Sequence, residues 1–254
     1  MAGMRIISVD ELGRLFASLP GKPRVVVSGN VAVPWPAVRA LDENKDTYTI
    51  HALNAPPGIP DREGVTAETC FVGAGMRRHC DLSYVPSRLS LVPVLLKRRI
   101  PADVVIIHCA PPRDGQLSLG IEVNIMPAAI EGCRNRSGRV VAVINDQMPY
   151  TFGDAQVPVE AVDVAIEVSE PLPAHDPVTP DDDSSAIGER VASRVSDGST
   201  LQMGIGGVPD ATLGALTGRR GLRIWTEMFS DGVLALDRIG ALEPHHPLTA
   251  SFLF

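Results

Sequence analysis

Aromatic side chains are scarce in this sequence, with 6 Phe, 3 Tyr and 2 Trp making 4% of 254 residues. A core built without them has to be filled by Val, Leu, Ile and Ala, the composition of buried parallel strands covered by helices. Basic residues are in deficit as well. With 23 Lys and Arg against 30 Asp and Glu the formal net charge is −7, which argues against general binding to nucleic acid or an anionic membrane, although a local basic pocket for an anionic ligand remains open. No apolar run reaches the roughly 18 residues of a membrane span, and the opening MAGMRIISVDELGRLF lacks a basic region followed by a long apolar core. The expectation is a cytoplasmic protein with neither nucleic-acid nor membrane partners.

Ligand-spaced cysteines and histidines are missing too. Cys70, Cys80, Cys109 and Cys133 form no CxxC pair and read as buried free thiols. His245 and His246 have no Cys or carboxylate partners at ligand spacing and read as an exposed loop pair. The acidic run Asp181, Asp182 and Asp183 reads as a solvated linker that caps the helix after it. No metal and no permanently bound cofactor are expected.

What is present is ordinary globular material, 44% hydrophobic and 21% charged. An amphipathic helix is expected over 9–18, β-branched strands over 24–27 and 139–145, and further strands over 48–53, 69–72, 103–109 and 163–168. Helical runs fall at 37–41, 89–96 and 127–133. Residues 55–64 read as a surface loop and 111–115 as a turn, while Arg77, Arg78 and His79 follow Gly73 and Gly75 as a solvated basic turn. Alternation of strands and helices predicts an α/β fold of open, mainly parallel sheets with flanking helices. The Pro- and Asp-rich stretch 169–185 divides it into a domain at 1–168, a linker, and a second α/β domain beginning at 186 and reaching 254. Val33-Pro34 followed by Ala40-Leu41 matches Val208-Pro209 followed by Ala215-Leu216 at the same internal spacing, which suggests two related strand-loop-helix units.

Chemistry concentrates in 201–232, LQMGIGGVPDATLGALTGRRGLRIWTEMFSDG. Residues 201–203 read as the end of a buried strand, Gly204, Ile205, Gly206 and Gly207 as a loop, and 210–216 as a helix with Pro209 in its first turn. A second strand at 222–225 delivers Thr226 and Glu227 to its carboxyl end. Ligands of an open parallel sheet collect outside those ends. A glycine loop leading into a helix can hold a phosphate, a carboxylate or a developing oxyanion, and a glutamate beside it can serve as base or nucleophile. In the first domain the loop after the strand at 139–145 supplies pocket candidates Asn145, Met148, Pro149, Thr151 and Phe152.

Five segments in this order, FVG at 71–73, APPRDG at 110–115 leading to SLG at 118–120, the run from Asn145 through Met148-Pro149 to TFGD at 151–154, GIGGVPDATL at 204–213 and TEMFSDG at 226–232, resemble the acetyl-CoA hydrolase/transferase family. That family includes 4-hydroxybutyrate CoA-transferase and belongs to the class I CoA-transferases. The resemblance implies that Glu227 is a catalytic nucleophile, that the loop of Gly204, Ile205, Gly206 and Gly207 serves CoA and the oxyanion, and that coenzyme A enters as acyl-CoA substrate. It implies transfer of CoA to a small carboxylic acid, or hydrolysis, through a glutamyl-CoA thioester.

The last residues, 249–254, read as an apolar strand with no turn after it, whereas members of the family continue well beyond this point. The sequence therefore resembles an N-terminal portion whose second domain is incomplete, and the implied partners are a C-terminal half or partner subunit and, when complete, further copies in a homo-oligomer. A second reading of the same residues is a non-catalytic or inactive half that needs its C-terminal partner. Thioester exchange separates the two. The residues do not choose the acyl group.

Overall fold

The structure is a computed structural model that describes residues 3–174 and 179–253. Within the expected linker, residues 175–178 lie outside the described residues, as does Phe254 at the end of the expected last strand. The chain divides into two compact units, Met1–Pro173 and Ala174–Phe254.

In the first unit the elements run β1 (Arg5–Ile6), α1 (Val9–Ala17), β2 (Arg24–Val27), α2 (Trp35–Asn44), β3 (Tyr48–His51), β4 (Val65–Thr69), β5 (Leu82–Tyr84), α3 (Val92–Arg98), β6 (Val104–Arg113), β7 (Gln116–Ser118), α4 (Met126–Arg134), β8 (Arg139–Asn145), β9 (Gln156–Pro158) and β10 (Val164–Val168). The main sheet has the order β1-β10-β8-β6-β2-β3-β4-β5, every pair parallel. Its strands are apolar on both faces because both are covered. Val25, Val27, Ile50, Ile106, Val141 and Val143 point into one core with Leu12 and Phe16 of α1 and Val38 and Leu41 of α2. The alternate residues Val26, Val105, Ile107, Val140 and Ala142 point into the other, against Leu96 of α3 and Met126, Ala129 and Cys133 of α4. Each fully buried Val, Ile or Leu contributes about 1.5–3 kcal/mol relative to exposure.

The connectivity has a switch point. From β2 the chain runs outward through β3, β4 and β5, then returns as β6 on the other side of β2. The carboxyl ends of β2 and β6 flank this point, the place where doubly wound sheets bind ligands.

Some boundaries in the first unit differ from expectation for local reasons. The strand expected over 103–109 runs on to Arg113 through Pro111 and Pro112. Beyond Cys109 it leaves the parallel sheet and pairs antiparallel with β7, and the two prolines occupy a register shift between Ala110 and Arg113 where no ladder N–H is needed. The turn shrinks to Asp114 and Gly115, with φ of 49° and 75°. The strand expected over 69–72 lies earlier, at β4, because the Thr69 hydroxyl bonds the Ala52 carbonyl (2.7 Å) and accepts the Phe71 N–H (3.0 Å), closing a turn where the strand ends. Of the cysteines expected to be buried, Cys80 is exposed, and His79 within the basic turn is buried while Arg77 and Arg78 face solvent.

The second unit contains α5 (Asp182–Ala192), β11 (Thr200–Leu201), α6 (Gly207–Ala215), β12 (Arg223–Ile224), β13 (Met228–Phe229), α7 (Asp231–Arg238) and β14 (Phe252–Leu253). Helix α5 starts at Asp182 because the Asp181 carboxylate accepts the Ser184 N–H at 2.7 Å. Gly188 lets it approach α6, where a Cβ would lie 2.8 Å from Ala211. Strands β11 and β12 are parallel, as are β13 and β14. Isolated parallel bridges join Leu222 to Leu242 and Trp225 to Thr249. Leu213, Leu216, Leu222, Ile224, Val233 and Leu236 form its core.

The two copies of the Val-Pro spacing have the same topology, a strand, a loop, a helix and a parallel neighbouring strand, in β2-α2-β3 and in β11-α6-β12. They differ in register. Pro34 precedes α2, while Pro209 lies inside the first turn of α6. Among the described residues no helix is long and apolar enough to cross a membrane.

Candidate functional site

In the second unit the glycine run follows the carboxyl end of β11, and Glu227 follows that of its parallel neighbour β12. Gly204 and Ile205 are exposed loop, Gly206 caps α6 with φ 108°, and Gly207 is already the first helical residue, three positions earlier than the spacing predicts. Only glycine tolerates that φ comfortably. The N–H groups of Ile205, Gly206 and Gly207 donate to no partner among the described residues, and no side chain caps the helix. An uncapped helix start of this kind attracts negative charge.

Glu227 reaches the same place from β12. Its neighbour Thr226 is 6% exposed, and its hydroxyl accepts the Met203 N–H at 3.2 Å and lies 3.0 Å from the carbonyls of both Met203 and Met228. The backbone is held from the other side by Thr226 N–H to the Thr249 carbonyl (2.9 Å) and Ser251 N–H to the Glu227 carbonyl (2.9 Å). The Glu227 side chain is left in solvent. Partial burial and the facing carboxylate of Asp231 raise the pKa of Asp210, in the first turn of α6.

The candidates of the first unit divide by role. Asn145 is fully buried, its amide donating to the Glu170 carbonyl (2.8 Å) while its oxygen accepts the N–H groups of Gln147 and Glu170. Thr151 is laced to β7, its N–H donating to the Ser118 hydroxyl (2.9 Å) and its own hydroxyl to the Gly120 carbonyl (2.7 Å). Met148 is buried against Gly120. These three hold the loop. Pro149 and Phe152 are exposed, and Phe152 leans on Tyr150 (ring centroids 5.2 Å apart), which carries the Arg113 guanidinium 4.5 Å from its ring centre.

The switch point of the first unit holds polar residues that periodicity did not single out. At the carboxyl end of β2, Ser28 accepts the His108 N–H from β6 (3.1 Å). Gly29 then packs so closely on the Leu53 carbonyl that any Cβ would collide with it. Asn54 donates to Asn30 (2.9 Å), and Asn30 donates to Glu122 Oε2 at 2.6 Å. Both asparagines are left-handed, with φ of 47° at Asn30 and 44° at Asn54. Glu122 is 1% exposed and its Oε1 has no partner among the described residues. Burial pushes its pKa up to about 8, against the bond from Asn30 that pulls it down. A carboxyl raised in this way keeps its proton to higher pH than an exposed glutamate, and the protonated form can donate a hydrogen bond. The signal for it is a lone charge in the otherwise uncharged run LSLGIEVNI. A second set, buried His51 and Glu68 with half-buried Arg24, joins β2, β3 and β4: Arg24 binds Glu68 through two nitrogens (3.1 and 3.2 Å) and His51 Nδ1 lies 3.0 Å from it. Burial raises the Glu68 pKa, and the bonds from His51 and Arg24 outweigh it, so the net shift is downward.

Known proteins share this framework. Residues 61–174 match the acetyl-CoA hydrolase/transferase N-terminal domain. The chain is 35% identical over 242 residues to 4-hydroxybutyrate coenzyme A transferase of Clostridium kluyveri, covering 90% of this chain and 56% of that protein. It is similar, with TM-score 0.75 and 30% identity over 98% of its length, to the crystal structure of 4-hydroxybutyrate CoA-transferase from Porphyromonas gingivalis, of which it covers 62%. RipA from Yersinia pestis superposes with TM-score 0.88 at 22% identity, covering 98% of this chain and 63% of that one, a likeness of fold. The chain spans little more than half the length of the curated relative.

Proposed function

The chain carries the N-terminal domain of the acetyl-CoA hydrolase/transferase family at residues 61–174, and from that premise we propose that it serves transfer of CoA from an acyl-CoA to a small carboxylic acid, with Glu227 as the nucleophile. The observation that carries this reading is the Thr226 clamp, which fixes the residue before the glycine run against the residue before Glu227. A carboxylate and a row of unpaired N–H groups are thereby kept at one set of strand ends.

The chemistry follows from those groups. The Glu227 carboxylate attacks the thioester carbonyl, the C–S bond breaks, and CoA thiolate leaves an acyl-glutamyl anhydride. The thiolate attacks the glutamyl carbonyl of that anhydride, the donor acid departs as carboxylate, and a glutamyl-CoA thioester remains. An acceptor carboxylate reverses the sequence, and water in its place gives hydrolysis. Each tetrahedral oxyanion needs donors, and the N–H groups of Ile205, Gly206 and Gly207, without partners among the described residues, are the candidates.

Exchange of an isotope-labelled acid into an acyl-CoA pool tests the assignment, together with mass analysis of the peptide containing Glu227 after exposure to acyl-CoA without acceptor. Glu227→Gln is nearly isosteric and cannot form the anhydride, so exchange and the CoA adduct are both lost while thermal unfolding is unchanged. Full exchange by the Gln variant removes Glu227 from the mechanism.

A further inference from the structure

At the amino ends of β4 and β5 in the first unit, two loops bring Asp61, His79 and Cys80 together. One oxygen of Asp61, one ring nitrogen of His79 and the Cys80 sulfur all lie within 4.8 Å of one another. His79 Nδ1 is 3.7 Å from Asp61 Oδ1, close to the roughly 3.3 Å that two ligands about 2 Å from a tetrahedral zinc would show. We propose that these three side chains form a binding site for a soft divalent transition-metal ion, Zn2+ or Co2+, with the fourth position open to water.

Three further features support a site over a chance meeting of loops. His79 is buried, and its Nε2–H donates to the Pro60 carbonyl at 2.8 Å, the orienting bond that metal-ligating histidines make with their other nitrogen. Its Nδ1 therefore presents a lone pair, which now accepts the Asp81 N–H at 3.1 Å. Asp61 is tied by the Cys80 thiol and by the Cys80 N–H at 2.9 Å, and these bonds hold its pKa below the ordinary range; the bond to the Asp61 carboxylate in turn raises the Cys80 pKa, so the thiolate forms only as a metal displaces its proton. The neighbouring cation does not compete: the Arg62 guanidinium is turned onto Asp42 and the carbonyls of Asp46 and Lys45.

The charge balance is simple. A divalent ion displaces the Cys80 thiol proton, a metal–sulfur bond replaces the S–H bond, and thiolate plus carboxylate neutralise the metal charge, so one proton is released to solvent per ion bound. Thiolate, imidazole and carboxylate together suit zinc or cobalt, whereas calcium and magnesium prefer all-oxygen sites. Metal binding would staple the loop before β4 to the loop before β5. This inference is independent of the role of Glu227.

The test is a titration of the tag-free, reduced chain with Co2+, followed by displacement with Zn2+. Cys70, Cys109 and Cys133 are buried, so a thiolate-to-cobalt charge-transfer band reports Cys80. One ion per chain with that band, release of one proton, and alkylation of Cys80 slowed at least about tenfold by Zn2+ are the expected results. Cys80→Ser removes the band, and Asp61→Asn at an exposed position weakens binding at least about tenfold. Cobalt bound without a thiolate band, or equal affinity in the Asp61→Asn and Cys80→Ser double variant, overturns the proposal.

Discussion

The Thr226 hydroxyl accepts the Met203 N–H at 3.2 Å and lies 3.0 Å from the Met203 carbonyl, so one buried side chain grips both polar groups of the residue preceding the glycine run. It also lies 3.0 Å from the Met228 carbonyl. The strand pair alone ends at Leu201 and Ile224, two residues short of the chemistry on either strand. Thr226 extends the register past the ladder.

Thr226→Val keeps the shape and removes the hydroxyl, leaving the Met203 N–H without its partner in a buried place. The expected cost is about 1–3 kcal/mol of stability, read by denaturant unfolding. Thr226→Ser should recover most of it. Acyl exchange should fall further in the Val variant than its stability loss accounts for, because Gly204 and Glu227 lose their common anchor. Equal exchange in Val and Ser variants would make Thr226 a structural residue only.

Gly206→Ala isolates backbone strain from crowding. A Cβ at Gly206 meets nothing within 4 Å, so the only folded-state cost is its φ of 108°. A non-glycine residue there costs about 1–3 kcal/mol. Gly214, in the body of α6 with equally open space and an ordinary φ, is the control: Gly214→Ala should stabilise by about 0.4–1 kcal/mol. Thermal unfolding of the pair gives the sign directly. If Gly206→Ala is as stable as the native chain, α6 does not enter through this left-handed cap.

Much of this frame is legible in the sequence, and the reason is burial. Strands β2 and β8 lie where β-branched runs place them, because a strand covered on both faces has no polar positions to blur its ends. Local side-chain bonds defeat periodicity elsewhere: Thr69 ends β4 early and a bulge carries β6 through two prolines, whereas the cap that Asp181 gives α5 is legible in the acidic run. The GIGG and TEMFSDG segments are visible as motifs, but the hydroxyl that joins them is visible only in three dimensions. Glu122 and Asn30 are 92 residues apart, and Asp61 and Cys80 are 19 apart, each pair brought together by connectivity that no local pattern encodes.

The buried Glu122 carboxyl makes a pH signature that distinguishes it from the paired Glu68. Its folded pKa of about 8 stands above its ordinary 4.5. Between these values the folded chain holds a proton that the unfolded chain has released, so the stability this group contributes is complete below about 4.5 and is lost as pH rises to about 8. The ceiling is on the order of 4–5 kcal/mol at about 1.4 kcal/mol per unit, reduced by any relaxation around the ionised group. Glu122→Gln keeps an acceptor for Asn30 and cannot ionise. Denaturant unfolding across this range should therefore show the native chain weakening on the alkaline side while the Gln variant holds level, so that the variant is the more stable at pH 8. Glu68 runs the other way: its lowered pKa places its loss of stability on the acid side, as protonation breaks the bonds from Arg24 and His51. An alkaline decline of equal slope in Glu122→Gln would assign the effect to another group and leave Glu122 ionised within the fold.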